Sequence, residues 1–278
     1  MLNWRTLEVQ RLVTDASPCT FSNDLFRWEK LESIIVELVD INIMLLGKEQ
    51  GMKSFFNGYE SGGEPFLMIT VSDEDIRREE AAHSIEKRWK LAPASLEFCA
   101  IQRRIASCFS SQGTILFHGS AICVDGRTYI FTAPSGTGKS THSRLWRELL
   151  IDHDVVMVND DKPFLKVEKG IVTAYGSPWM GKEGIGCNMS APVEAICSIS
   201  QGKKNVIREA TPEEMFPIFF EQSLRPFDKE GTEKYLHTLD VLTRSVRLYK
   251  LECDRSLEAA RLSYETMAGK FDGERRKN

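Results

Sequence analysis

The chain has 278 residues, with 40 acidic against 36 basic side chains and a formal charge of −4. That length exceeds one average domain, so two modest domains are expected, and the charge balance gives no reason to expect nucleic acid or an anionic membrane as partner. Its seven cysteines (Cys19, Cys99, Cys108, Cys123, Cys187, Cys197, Cys253) form an odd set without a C-x-x-C pair, so they read as reduced core thiols and cytoplasmic localisation is expected.

The opening "MLNWRTLEVQRL" lacks the apolar stretch of a signal peptide, and "SIIVELVDINIMLL" is interrupted by Glu37, Asp40 and Asn42, so no spanning helix is expected. That run and "FLMITVS", separated by "NGYESGGEP", predict strands, and residues 1–92 are expected to form a small β-rich domain. Ser72-Asp73-Glu74-Asp75 fits a capping box that opens a charged helix running to Trp89, where "LAP" breaks it. From Ser95 to Phe109, the apolar residues Leu96, Cys99, Ala100, Ile101, Ile105 and Phe109 predict a second helix, early in a domain covering 93–278. The short basic clusters Arg77-Arg78, Arg103-Arg104 and Arg275-Arg276-Lys277 are mixed with acids and read as solvated faces.

"TILFHGSAICVDGRTYIFTA" gives two strands joined at Asp125-Gly126, a strong hairpin signal. The second strand feeds into "APSGTGKST", and Leu145, Trp146, Leu149 and Leu150 then mark a helix. Strand, glycine-rich turn and helix in that order make a phosphate cradle: Gly136 and Gly138 let backbone N–H groups turn inward, and the helix N-terminus adds its partial positive charge. Ser135, Gly136, Thr137, Gly138, Lys139, Ser140 and Thr141 are the candidate nucleotide-binding residues. Lys139 would reach the outer phosphates, and the Ser140 hydroxyl would ligate magnesium. Ala133 stands where the G-x-x-x-x-G-K-[ST] pattern begins with glycine.

Downstream, "DVVMVNDDKPFLKV", "GIVTAYGSPW", "VEAICSIS" and "VRLYKLEC" are strand-like, "RSLEAARLSYETM" is an amphipathic helix, and "FDGERRKN" is expected to fray. Many strands with few helices predict an α/β domain with a mixed sheet. The apolar run Val155 to Val158 ends in Asn159-Asp160-Asp161, and ligands of open α/β sheets sit at strand carboxyl ends. One aspartate would hold magnesium and the other would accept a proton or position a water. His118, taken alone, reads as a hydrogen-bonded core histidine.

The combination "FHGSAICVDGRTYIFTAPSGTGKST", "VMVNDD" and "GSPWMGKEGIGCNMSAPVEAICSIS" resembles the HPr kinase/phosphorylase family, which shares the phosphoenolpyruvate carboxykinase type of nucleotide-binding fold. The resemblance covers roughly residues 112 to 200. It implies a P-loop kinase domain of that type, Asp160 as base, Asp161 as magnesium partner or co-base, and His118 as their neighbour. The family's R-P-G-R-N-like segment is replaced by "GKEGIGCN", which speaks against HPr as substrate, the phosphorylase reaction and the hexamer. Pro178-Trp179-Met180-Gly181-Lys182 resembles the divergent branch that includes kinases of ribosomally made precursor peptides, lasso-peptide precursors among them. Lys182 then either touches the transferring group or stands as a solvated loop lysine, and Trp179 is expected to pack.

The expectation is a kinase using ATP and Mg2+ to phosphorylate a hydroxyl, serine or threonine in a peptide or small protein, with a small metabolite or amino acid as the alternative acceptor. A nucleotide-binding sensor without an acceptor is the non-enzymatic alternative. Self-association is left open, as is whether the N-terminal unit binds peptide by strand addition or serves docking.

Overall fold

The structure is a computed structural model, and it describes residues 31–86, 91–226 and 229–275. The expectations for the N-terminal dozen residues, Cys19, Trp89, Arg276 and Lys277 lie outside the described residues. The chain divides into two compact units, Met1–Cys108 and Phe109–Asn278.

The first unit carries β1 (Glu32–Leu38), β2 (Ile41–Gly47), α1 (Met52–Phe55), β3 (Leu67–Thr70), α2 (Asp73–Glu86) and α3 (Pro93–Ser110). The run read from sequence as "SIIVELVDINIMLL" is two antiparallel strands, because Val39 and Asp40 both take positive φ (54° and 64°) and fold the chain back in a tight hairpin. β3 then pairs parallel to β2. The capping box at the start of α2 is formed: Asp75 N–H donates to Ser72 Oγ (3.2 Å), and Ser72 N–H donates to Asp75 Oδ2 (2.8 Å). Arg103 and Arg104 were expected on a solvated face. They instead fork onto Glu79 and Asp75 respectively, tying α3 to α2 through half-buried ion pairs. The boundary expected near residue 92 falls at the end of α3, whose Phe98 stacks on Phe55 at 4.4 Å within the first unit.

The second unit holds β4 (Thr114–Leu116), β5 (Ser120–Val124), β6 (Arg127–Thr132), α4 (Lys139–Leu149), β7 (Val155–Asn159), β8 (Phe164–Glu168) and β9 (Ile171–Tyr175). These are followed by β10 (Ser190–Gln201), β11 (Val206–Glu209), α5 (Pro212–Glu221), α6 (Lys229–Ser245), β12 (Arg247–Cys253) and α7 (Leu257–Arg275). The strands make one mixed nine-stranded sheet, β4-β8-β9-β10-β6-β5-β7, with β12 and then β11 branching from β10. β10 is 12 residues long. Its first residues pair with β9, and its remainder lies parallel between β6 and β12.

Alternation along the central strands sends side chains to two cores. Tyr129, Phe131, Cys197 and Tyr249 join Trp146 of α4 and Met267 of α7, while Ile130, Ile196 and Leu248 join Phe219 of α5 and Leu239 of α6. Helices therefore cover both faces. Trp146 is fully buried and donates its indole N–H to Ser263 Oγ at 2.8 Å, fastening α4 to α7. α7 continues to Arg275, beyond the start of the tail expected to fray.

Candidate active site

Three chain segments meet at one edge of this sheet because of its register. β5 is antiparallel to both neighbours, with Ser120 opposite Phe131 of β6 and Ala121 opposite Asn159 of β7. The start of β5 therefore lies beside the ends of β6 and β7. These are the places of His118, the glycine loop and the aspartate pair. Since β5 alone separates β6 from β7, the two strand ends are two spacings apart, about 10 Å.

The loop from Ala133 to Gly138 is shaped by Gly136 and Gly138, at φ 82° and 122°, values that a side chain would strain. Ser135 and Gly136 are exposed; Thr137, Gly138, Ser140 and Thr141 are half-buried. Ala133 is fully buried at the strand end, which is how a methyl group is accommodated where the sequence pattern has glycine. The tip is braced from β10, where Gln201 donates its amide to the Thr137 carbonyl at 3.0 Å. Lys139 is buried and folds back onto the loop, donating to the carbonyls of Ala133 (2.9 Å) and Pro134 (3.4 Å). Burial lowers its pKa, and the negative charge of Asp161 opposes that shift. Behind the loop, Ser143 of α4 donates to the Ser120 hydroxyl at 2.7 Å.

The aspartate pair is set by Asn159, which is fully buried. Its amide donates to the Ser177 carbonyl (2.8 Å) and hydroxyl (3.2 Å), and its Oδ1 accepts the N–H groups of Asp161 (2.8 Å) and Lys162 (2.6 Å). This turn directs the two acids differently. Asp160 is 4% exposed; its Oδ1 accepts the Gly181 N–H at 2.6 Å, while its Oδ2 has no hydrogen-bond partner. Asp161 faces His118, whose Nε2 lies 3.2 Å from Asp161 Oδ1. Burial opposes ionisation of Asp161, but the His118 hydrogen bond and the charges of Lys162, His118 and Lys139 outweigh it and lower its pKa. On its other side, His118 Nδ1 meets Gln222 Oε1 at 2.7 Å, and its backbone N–H donates to the Gln222 carbonyl at 2.6 Å.

Gly181 leaves no spare room: a Cβ there would stand 3.1 Å from Asp160 Oδ2 and 3.4 Å from Asp161 Cβ. Lys182 is exposed in the turn that follows and makes no hydrogen bond or ion pair among the described residues. Trp179 is 7% exposed and lies edge-on to Phe164 at 6.3 Å, a packing position. Asn159 and Gln222 are the two site residues that residue type alone did not single out. The signal for the helix that delivers Gln222 was present, since Thr211-Pro212-Glu213-Glu214 forms a full capping box with proline at its first position.

A small cleft is lined by Ser140, Ser143, Arg144 and Arg147 of α4 together with Asp160 and Glu183. No cluster of three or more His, Cys, Asp or Glu suited to a metal occurs among the described residues. Magnesium does not require one, since it is commonly held by one or two carboxylates, a hydroxyl and phosphate oxygens. Ser140, Asp160 and Asp161 offer oxygen donors only, Asp160 lines the same cleft as Ser140, and Asp161 lies within electrostatic reach of Lys139, so the residues present fit such an ion.

The site thus joins a glycine loop at a helix start to paired carboxylates on a mixed α/β sheet. No family model matches the chain, and no curated protein matches it. Among solved structures the chain is similar to the HPr(Ser) kinase/phosphatase from Coxiella burnetii, at 12% identity over 58% of this chain and 98% of that chain, with a TM-score of 0.33. A likeness at that level assigns neither family nor activity. No helix among the described residues is long and apolar enough to cross a membrane.

Proposed function

We propose that the second unit is a magnesium-dependent kinase that transfers the terminal phosphoryl group of ATP to a hydroxyl, that of serine or threonine in a peptide or small protein. The observation that carries this reading is the buried Asp160, which lines the same cleft as Ser140 and has one carboxylate oxygen held by the Gly181 N–H and the other unpartnered. A carboxylate fixed in that way can receive a proton at one defined atom.

The loop amides from Gly136 to Ser140 would grip the phosphates, and Lys139 would exchange its contacts with the Ala133 and Pro134 carbonyls for phosphate oxygens. Magnesium, held by Ser140 and Asp161 with phosphate oxygens, would neutralise charge on the transferring group. Gln222 and His118 hold the Asp161 carboxylate in place. As the acceptor oxygen bonds to the γ-phosphorus and the bond to the bridging oxygen breaks, the hydroxyl proton would pass to Asp160 Oδ2 and ADP would leave. Lys182, exposed beside this turn, would be free to approach the substrate from solvent.

The test is transfer of labelled γ-phosphate to panels of peptides and of hydroxylated metabolites. Lys139→Ala and Asp160→Asn are each expected to lower transfer by about 10²-fold or more with the circular-dichroism spectrum unchanged. Wild-type rates from purified Asp160→Asn would remove the assigned base. Transfer to metabolites but to no peptide would replace the acceptor class.

A further inference from the structure

The polar residues that line the cleft from α4 are Ser140, Ser143, Arg144 and Arg147, spaced at i, i+3, i+4 and i+7. That spacing is a single stripe on one helix face. It leaves the glycine loop at Ser140 and runs down the helix to Arg147. The loop chemistry accounts for Ser140, and the buried bond to Ser120 accounts for Ser143. Arg144 pairs with Glu148 on its own helix. Arg147 remains: it is exposed, makes no ion pair or hydrogen bond among the described residues, and lines the same cleft as the buried Asp160, whose Oδ2 has no hydrogen-bond partner.

We infer that the exposed Arg147 end of this stripe is the acceptor-docking surface and that Arg147 selects a peptide with an acidic side chain a short, fixed distance from the phosphorylated hydroxyl. The inference rests on the kinase reading for the role of the hydroxyl and adds the acceptor's charge pattern. Seven residues of helix from Ser140 to Arg147 advance about 10 Å, which an extended peptide covers in about three residues. With the hydroxyl at the Ser140 end of the cleft, which Asp160 also lines, the acidic side chain therefore sits about three positions away. The acidic groups near the path explain why one cation is needed. Asp160 and Glu183 both face the cleft, so an acidic peptide would be repelled there unless its own charge meets Arg147. The neutral hydroxyl end occupies the acidic part of the cleft, and the anionic end occupies the basic part.

The experiment uses the full chain, fluorescent peptides with a single serine, and aspartate, alanine or lysine placed at each position up to four on either side. Anisotropy is read with magnesium and an ATP analogue that cannot transfer its γ-phosphate, and labelled ATP is used in parallel for transfer. The expected result is about a tenfold preference for aspartate over lysine, confined to positions near three on one side of the serine. Arg147→Glu is expected to reverse that preference in favour of lysine, a gain that a merely disrupted surface would not produce. Binding or transfer indifferent to charge at every position, an Arg147→Glu variant with the wild-type preference, or no peptide binding at all would overturn the inference. Acidic peptides retained through Arg147 but never phosphorylated would uphold the docking surface and defeat the kinase reading instead.

Discussion

Replacing Asn159 with alanine removes one side chain that serves four contacts, and the cost can be worked from the geometry. Two backbone donors, Asp161 N–H and Lys162 N–H, lose their acceptor, and the Ser177 carbonyl and hydroxyl lose a donor. A buried polar group left unpaired costs about 1–3 kcal/mol. The two N–H groups are half-buried, so water recovers part of that, and the sum comes to about 3 kcal/mol. For a domain of this size each kcal/mol lowers the melting temperature by about 2–4 °C, which predicts a fall of about 6–12 °C. Asn159→Asp keeps the acceptor for the two N–H groups but points a carboxylate at the Ser177 carbonyl and puts a second charge beside Asp160. It should melt no higher than the alanine variant. Thermal denaturation with amide hydrogen exchange at Asp161 and Lys162 checks both effects, since their protection should be lost first. An Asn159→Ala protein melting within about 2 °C of wild type would refute the keystone role.

His142 is buried against Phe131 and bonded to Ser263, and burial lowers its pKa from 6.5 to about 4. The unfolded chain therefore takes up a proton that the folded chain refuses, so stability is fully present above pH 6.5 and is lost as pH falls toward 4, by up to about 1.4 kcal/mol per pH unit. Denaturant titrations between pH 7 and 4.5 should show a shallower decline for His142→Gln, and parallel curves would count against this. Gly181→Ala would press a methyl group against both acids, and transfer is expected to drop at least about tenfold while the melting temperature moves little; unchanged transfer would mean that the acids yield freely. Ser143→Ala leaves the buried Ser120 hydroxyl without its donor and should cost about 1–2 kcal/mol, much of it recovered in the Ser120→Ala/Ser143→Ala double variant. Additive losses in the double variant would contradict that pairing.

Much of the edge that carries the site could be read from the chain, for a local reason. Asp125-Gly126 takes the positive φ values of a tight hairpin and Gly136 and Gly138 those of the loop, so residue type reported backbone shape directly. The neighbourhood of Asp160 and Asp161 followed from one topological rule about strand ends. What escaped is what depends on distant partners. Val39, a β-branched residue that rarely takes positive φ, shares its hairpin turn with Asp40, so the break in the first apolar run carried little signal. Arg103 and Arg104 resemble any surface pair until α2 presents Glu79 and Asp75 to them. Gln222 reaches His118 from 104 positions away, and one glutamine at a helix end announces nothing of the kind. Asn159 was visible beside the acids, but its four bonds depend on where Ser177 returns.

The placement of β12 between β10 and β11 has a bearing on how the protein is made. β10 is flanked on one side by β6 and on the other by β12, and β12 starts only at Arg247. At ribosomal speeds, roughly 5–20 residues per second, β10 would be complete several seconds before that strand begins to appear. During this interval β10 offers an open apolar edge to any other nascent chain. Helpers that shield exposed strands would matter most in that window, and slower translation beyond residue 201 would lengthen the exposure.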